Sequence, residues 1–138
     1  MFRSDTTVEQ LNALSANTAI VALGIVFTEI GPDYLCATMP VDARTHQPYG
    51  LLHGGASALL AETIGSTAGG LAAPEGCGVV GIEINANHLR GVRSGTVTGT
   101  ARALHVGRST QVWDIRIEDA DGRLVCASRL TLAVIPKP

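Results

Sequence analysis

One stretch of this 138-residue chain constrains the rest: a long, nearly uncharged helix-forming run with a single carboxylate inside it. From Ala56 to Gly70 the residues are Ala, Leu, Ile, Gly, Ser and Thr, interrupted only by Glu62. Such a helix is apolar almost all round and needs cover on most sides. The segment before it, His46-Gln47-Pro48-Tyr49-Gly50-Leu51-Leu52-His53-Gly54-Gly55, is rich in residues that favour irregular backbone, so the loop becomes a helix near Gly54.

A helix opening on two glycines offers free backbone N–H groups and the positive end of its dipole, with room for a ligand to come close. Burying a lone carboxylate is costly. Composition leaves two readings of Glu62 open, a carboxylate directed to solvent or an interface, and one held in place for chemistry. Ser66 follows four residues later on the same helical face, where its hydroxyl can meet the Glu62 carboxylate or a water beside it.

The remaining sequence supplies the cover. Thr6-Thr7-Val8-Glu9 has capping-box spacing and predicts an N-terminal helix whose apolar stripe runs through Leu11 and Leu14 toward Ile20. Gly24 to Ile30 and Tyr34 to Met39 read as a hairpin around Gly31-Pro32-Asp33. After the central helix, which fades at Gly69-Gly70, Val79 to Leu89 is rich in β-branched residues. Thr96 to Leu104 alternates Val97, Gly99, Ala101 and Ala103 with polar residues, and Gln111, Trp113, Ile115 and Ile117 oppose a polar set in the next strand. Asp119-Ala120-Asp121-Gly122 turns into a last strand from Arg123 to Ile135. The order predicts an α+β fold of one domain, residues 1–138, with a curved antiparallel sheet wrapped around one helix. Long edge strands suggest association through sheet continuation.

Composition excludes several classes. Ten Lys and Arg against twelve Asp and Glu leave a net charge of −2, which argues against nucleic acid as a partner. The longest apolar run, Ala19 to Phe27, is too short to span a bilayer, so a soluble cytoplasmic protein is expected. Cys36, Cys77 and Cys126 are widely spaced and show no metal-ligand pattern, so free thiols and no metal are expected.

The run from Gln47 to Gly55, with Ala61-Glu62 and Gly65-Ser66, resembles the hotdog-fold acyl-CoA thioesterases. The likeness is to the branch of the Arthrobacter-type 4-hydroxybenzoyl-CoA thioesterase, within which it most resembles the 1,4-dihydroxy-2-naphthoyl-CoA thioesterases of menaquinone synthesis and the proofreading thioesterases of enterobactin synthesis. The resemblance spans about Leu11 to Ile135. It implies Glu62 as nucleophile or general base, the Gly54 amide as oxyanion donor, Gln47 and His53 as groups orienting the thioester, and Ser66 as holder of the attacking water. It also implies CoA contacts from Gly81, from His88-Leu89-Arg90-Gly91, and from His105-Val106-Gly107-Arg108-Ser109-Thr110. Read from the residues alone, these last two segments are solvated polar turns.

No cofactor is implied, CoA being part of the substrate, and the assembly implied is a homotetramer, a pair of dimers with sites shared across an interface. The leading substrate expected is 1,4-dihydroxy-2-naphthoyl-CoA, on the likeness of the Gly81–His88 and Gln111–Trp113 segments. The alternatives are proofreading of aryl thioesters on a carrier protein and a non-catalytic acyl-CoA-binding module. The hydratases of this fold use His and Asp on the helix, and this helix has neither.

Overall fold

Strand alternation decides which side of the sheet faces the helix. In the computed structural model, which describes Met1–Pro138, the elements are α1 (Val8–Leu14), α2 (Ala19–Ala22), β1 (Val26–Ile30), β2 (Tyr34–Pro40), α3 (Gly54–Ala72), β3 (Cys77–His88), β4 (Thr96–Val106), β5 (Thr110–Glu118) and β6 (Leu124–Pro136). The strands form one antiparallel sheet in the order β1-β2-β4-β5-β6-β3. Gln111, Trp113, Ile115 and Ile117 are all buried, as are Val97 and Ala101 on β4, so the predicted inner faces are the observed ones. The sheet curves around α3, which is the hotdog architecture.

Small residues line the contact between the helix and the sheet. A Cβ on Gly65 would stand 2.6 Å from Leu130 Cδ2, and one on Gly69 only 2.3 Å from Leu132 Cδ1. Leu60, Ile64 and Ala68 fill the space between with no exposed surface. Each such Leu or Ile contributes about 1.5 to 3 kcal/mol by leaving water. One polar relay crosses this core: the Trp113 indole N–H donates to Gln111 Oε1 (2.8 Å), and Gln111 Nε2 donates to the Gly69 carbonyl (3.3 Å). Every buried side-chain polar atom has a partner.

The two outermost strands differ. On β1, Asn12 of α1 presents its amide like a neighbouring strand, donating from Nδ2 to Phe27 O (3.0 Å) and accepting from Phe27 N at Oδ1 (2.9 Å). Ile25 N donates to Ile20 O (3.0 Å) just before it. The β3 edge has no such cover, and Val80 and Ile82 are 44% and 60% exposed there. Asn12→Ala removes both bonds and is expected to lower stability by about 1 to 3 kcal/mol. Urea unfolding checks this, and Asn12→Asp, which keeps the acceptor alone, falls between.

Three sequence expectations shift. The capping box is built one residue later, with Thr7 as N-cap and Gln10 at its third position. The stripe predicted to reach Ile20 breaks, because α1 ends at Leu14, which is 78% exposed, and Asn17 takes a left-handed φ of 62° before α2 begins. The central helix runs past its paired glycines to Ala72. No helix is long and apolar enough to cross a membrane.

Candidate active site

The start of α3 can be accounted for amide by amide. Ala56 N and Ser57 N donate to the His53 carbonyl (3.0 and 3.1 Å), and Gly55 N donates to His53 Nδ1 (2.8 Å). The Gly54 amide is left without an intramolecular acceptor, so it is the donor free for a ligand. Because Nδ1 accepts, the neutral His53 ring carries its proton on Nε2 and presents a second donor there. His53 is therefore both the helix N-cap and an available N–H. A second imidazole closes over the same point: a Cβ on Gly54 would lie 2.8 Å from His88 Nε2, so a side chain there would push that ring aside.

Glu62 lies two turns further on, about 12 Å along the helix axis. Ser66 Oγ is 3.5 Å from its Oε1 and donates to it. Across from it stands β3, where Gly81 leaves the space the carboxylate occupies; a Cβ there would be 2.2 Å from Glu62 Oε1. Burial pushes the Glu62 carboxyl above the ordinary glutamate range, and the Ser66 hydroxyl offsets only part of that rise. A half-buried carboxylate with raised proton affinity and one hydroxyl beside it is equipped to take a proton from water or to attack a carbonyl.

The loop ahead of α3 is tied to the segment after β3. Leu52 N donates to Val92 O (2.7 Å), and His46 Nε2 lies 2.8 Å from Arg93 O. Gln47 is held at both ends, its backbone N donating to Leu51 O (2.8 Å) and its side-chain oxygen accepting from the Tyr49 amide. That leaves the Gln47 side-chain NH₂ as the group free to donate outward.

One protomer thus gathers His53, Gly54 and His88 at the helix start, with the exposed Leu89, Arg90 and Gly91 directly after His88 and Gln47 in the loop that leads to the helix, its side chain turned to Tyr49. Glu62, Ser66 and Gly81 form a separate group. The second predicted CoA segment, His105 to Thr110, is elsewhere again. Thr110 pairs with Ala133, which also pairs with Val80, so this turn sits at the level of Val80, about 26 Å along β3 from His88. There Val106, Arg108 and Ser109 are exposed, and Gly107 packs under the His105 ring.

Two features escape a reading of the sequence. The resemblance directs His88 to CoA, whereas its ring also covers the helix start, and it directs Gly81 to a backbone contact, whereas the missing side chain makes room for Glu62. The second has a legible signal, since glycine inside a β-branched strand marks close approach by another group.

Comparison with known proteins bears on this arrangement. Residues 49–126 match the family model described as the thioesterase superfamily. The chain is 57% identical over 129 residues to the proofreading thioesterase EntH of Cronobacter sakazakii, covering 94% of each. A crystal structure of a thioesterase from Haemophilus influenzae superposes with a TM-score of 0.96 at 54% identity, over 98% of this chain and 94% of that one. A mutant thioesterase from Pseudomonas aeruginosa gives 0.96 at 52% identity, over 99% of both.

Proposed function

We infer, since this chain belongs to the thioesterase superfamily and is a thioester hydrolase, that its substrates are aromatic acyl groups carried as thioesters on a phosphopantetheine arm. Water adds to the thioester carbon as Glu62 takes its proton, and the C–S bond of the tetrahedral species breaks to give the free acid. Alternatively the Glu62 carboxylate adds first, the C–S bond breaks to leave an acyl–Glu62 anhydride, and water then cleaves that anhydride to the acid and regenerates Glu62. On either route the departing thiolate takes a proton to leave as thiol. The Gly54 amide stabilises the oxyanion, a contribution of about 3 to 4 kcal/mol for one well-placed donor. Gln47 and His53 orient the carbonyl, and His88 and Arg90 hold the arm.

The observation that carries this reading is Glu62: the only charge in α3, half-buried, raised in proton affinity and given room by Gly81. Its axial distance from Gly54 supports a site that takes the amide from one protomer and the carboxylate from another, through pairing of the open β3 edges. The His105–Thr110 turn then serves the partner's site.

Between the two thiol carriers, likeness to a proofreading thioesterase favours aryl groups on a carrier protein over the CoA ester of 1,4-dihydroxy-2-naphthoate expected from the sequence. The test compares kcat/KM for a benzoyl carrier-protein thioester, benzoyl-CoA and 1,4-dihydroxy-2-naphthoyl-CoA across pH. The carrier-protein ester is expected to lead, and a lead for the naphthoyl ester restores the original order. Because the active form of Glu62 is the anion and its proton affinity is raised, activity falls as pH drops through a value above the ordinary glutamate range. An acid limb at or below that range removes Glu62 as the base. Binding of all three esters without cleavage would make the chain a binding module.

A further inference from the structure

The two loops beside the helix start are joined into one ledge. Besides the bonds from Leu52 to Val92 and from His46 to Arg93, Leu51 Cδ2 packs on Gly91, 3.3 Å from where a Cβ would stand. The Arg93 side chain crosses back to the first loop, its Nη1 donating to the Tyr49 carbonyl (3.5 Å). From Gly91 the ledge continues through Arg90 and Leu89, whose amides both donate to Val125 O (3.4 and 2.8 Å), to His88 over the helix start. Because Leu52 is two residues ahead of Gly54, the Val92 carbonyl lies within about 10 Å of the Gly54 amide.

Four side chains on this ledge are left outside the packing. Tyr49 is 84% exposed, more than any other large apolar side chain of the protein, and Leu89 is 60% exposed. Arg90 and Arg93 are exposed and take part in no ion pair, whereas Arg44, Arg102, Arg116 and Arg123 each hold an aspartate. Across a polar notch of about 220 Å³ from Arg93, Asp119 and Asp121 are both bonded to Arg123 and so leave Arg93 its charge. The patch is therefore opposite in sign to the chain as a whole, whose net charge is −2. Exposed Tyr and Arg are the side chains that anchor protein interfaces, and unpaired surface charges steer an oppositely charged partner.

We propose that this ledge docks the body of an acidic carrier domain while the carrier's arm reaches the Gly54 amide. Carboxylates of the carrier meet Arg90 and Arg93, and its apolar contact falls on Tyr49 and Leu89. The proposal rests on the thioesterase reading, and on the thioester hanging from a protein. A substrate on a tether places the body that bears it at the mouth of the site, and the ledge borders that mouth. The phosphates of CoA carry the same sign of charge, but a protein surface adds the apolar contact for which Tyr49 and Leu89 stand open. Neither Tyr49 nor Arg93 belongs to β3, the edge through which copies are proposed to pair.

The test measures kcat/KM for a benzoyl carrier-protein thioester, for benzoyl-CoA, and for benzoyl-pantetheine, which keeps the arm without phosphate or protein. The variants are Tyr49→Ser, Arg93→Glu and Arg93→Lys. Arg3→Glu makes the same change of charge beside Leu71, about 25 Å along α3 from Gly54. Arg93→Glu is expected to lower the carrier-protein ester roughly tenfold and Tyr49→Ser by less, with benzoyl-pantetheine within about twofold of wild type in both. Arg93→Lys keeps most of the rate, Arg3→Glu changes none of the three, and added salt slows the carrier-protein ester more steeply than benzoyl-pantetheine. If benzoyl-CoA falls as far as the carrier-protein ester, the ledge holds nucleotide phosphates and the docking proposal is overturned. Equal losses on all three esters, or no loss on any, overturn it too and leave the thioesterase assignment standing. Should circular dichroism show Arg93→Glu misfolded, Tyr49→Ser decides, since that side chain is exposed. A wild type that cleaves the two small esters but not the carrier-protein ester has no carrier to dock. If it cleaves none of them, the thioesterase reading itself has failed.

Discussion

Glu62→Gln is expected to cut kcat/KM for aryl thioesters by roughly 10²- to 10⁴-fold, the range for losing a positioned base, while the protein becomes more stable. Both halves come from the same fact. Burial disfavours the charged carboxylate, so the folded state holds a proton at Glu62 more tightly than the unfolded chain does. The stability associated with this group is complete below the unfolded-state value and is lost as pH rises through the folded one. At neutral pH the ionised Glu62 therefore destabilises the fold, and an uncharged amide of the same shape relieves that cost. A melting temperature above wild type at pH 7, with the difference shrinking toward pH 4, is the expected signature. The assay follows thioester absorbance and not a thiol reagent, because Cys36, Cys77 and Cys126 are all free. A Glu62→Gln variant that turns over at the wild-type rate would sink the mechanism. One that is inactive and also less stable would show that Glu62 had a favourable partner, contrary to its raised proton affinity.

Gly81→Ala is the second large effect. Its added Cβ would stand 2.2 Å from Glu62 Oε1, well inside contact distance, so the carboxylate must swing away from the strand. Displacing a reacting group by about an ångström costs on the order of 100-fold. Gly81 is exposed on an edge strand beside a register shift, so the sheet can accept a methyl there. The expected result is a folded protein of normal circular dichroism with kcat/KM reduced about 100-fold. Combining Gly81→Ala with Glu62→Gln separates this from general damage: the two changes act through one carboxylate, so the double variant is no slower than Glu62→Gln alone. Losses that multiply would mean that Gly81 acts by another route.

The fold was legible because its strongest signals are periodic. The alternation through Gln111, Trp113, Ile115 and Ile117 and the uncharged run of α3 each allow one arrangement, polar side out and helix under cover. What could not be read were features that depend on distances between remote residues. Asn12 looks like any polar residue of a short helix, and nothing local says that it faces Phe27, fifteen residues away. His88 and Gly54 are likewise far apart in sequence and meet only because β3 passes the helix start. The candidate site was legible as residue types at a spacing, Gly54, Glu62 and Ser66. Their division into two groups was also expected, since the resemblance implies sites shared across an interface and eight helical residues at about 1.5 Å each separate Gly54 from Glu62.

The amide of Asn12 also occupies a place where another strand would have to pair. A sheet with two open margins can add neighbours at both, and identical copies then continue without end, as in fibres. With Phe27 bonded to Asn12, the β1 margin is blocked at its middle by a side chain, whereas β3 carries no such block. When two copies meet there about a two-fold axis, each supplies the other's missing neighbour and no margin remains. If copies join in the way proposed above, growth of the sheet would stop at two, by arithmetic and not by any further contact.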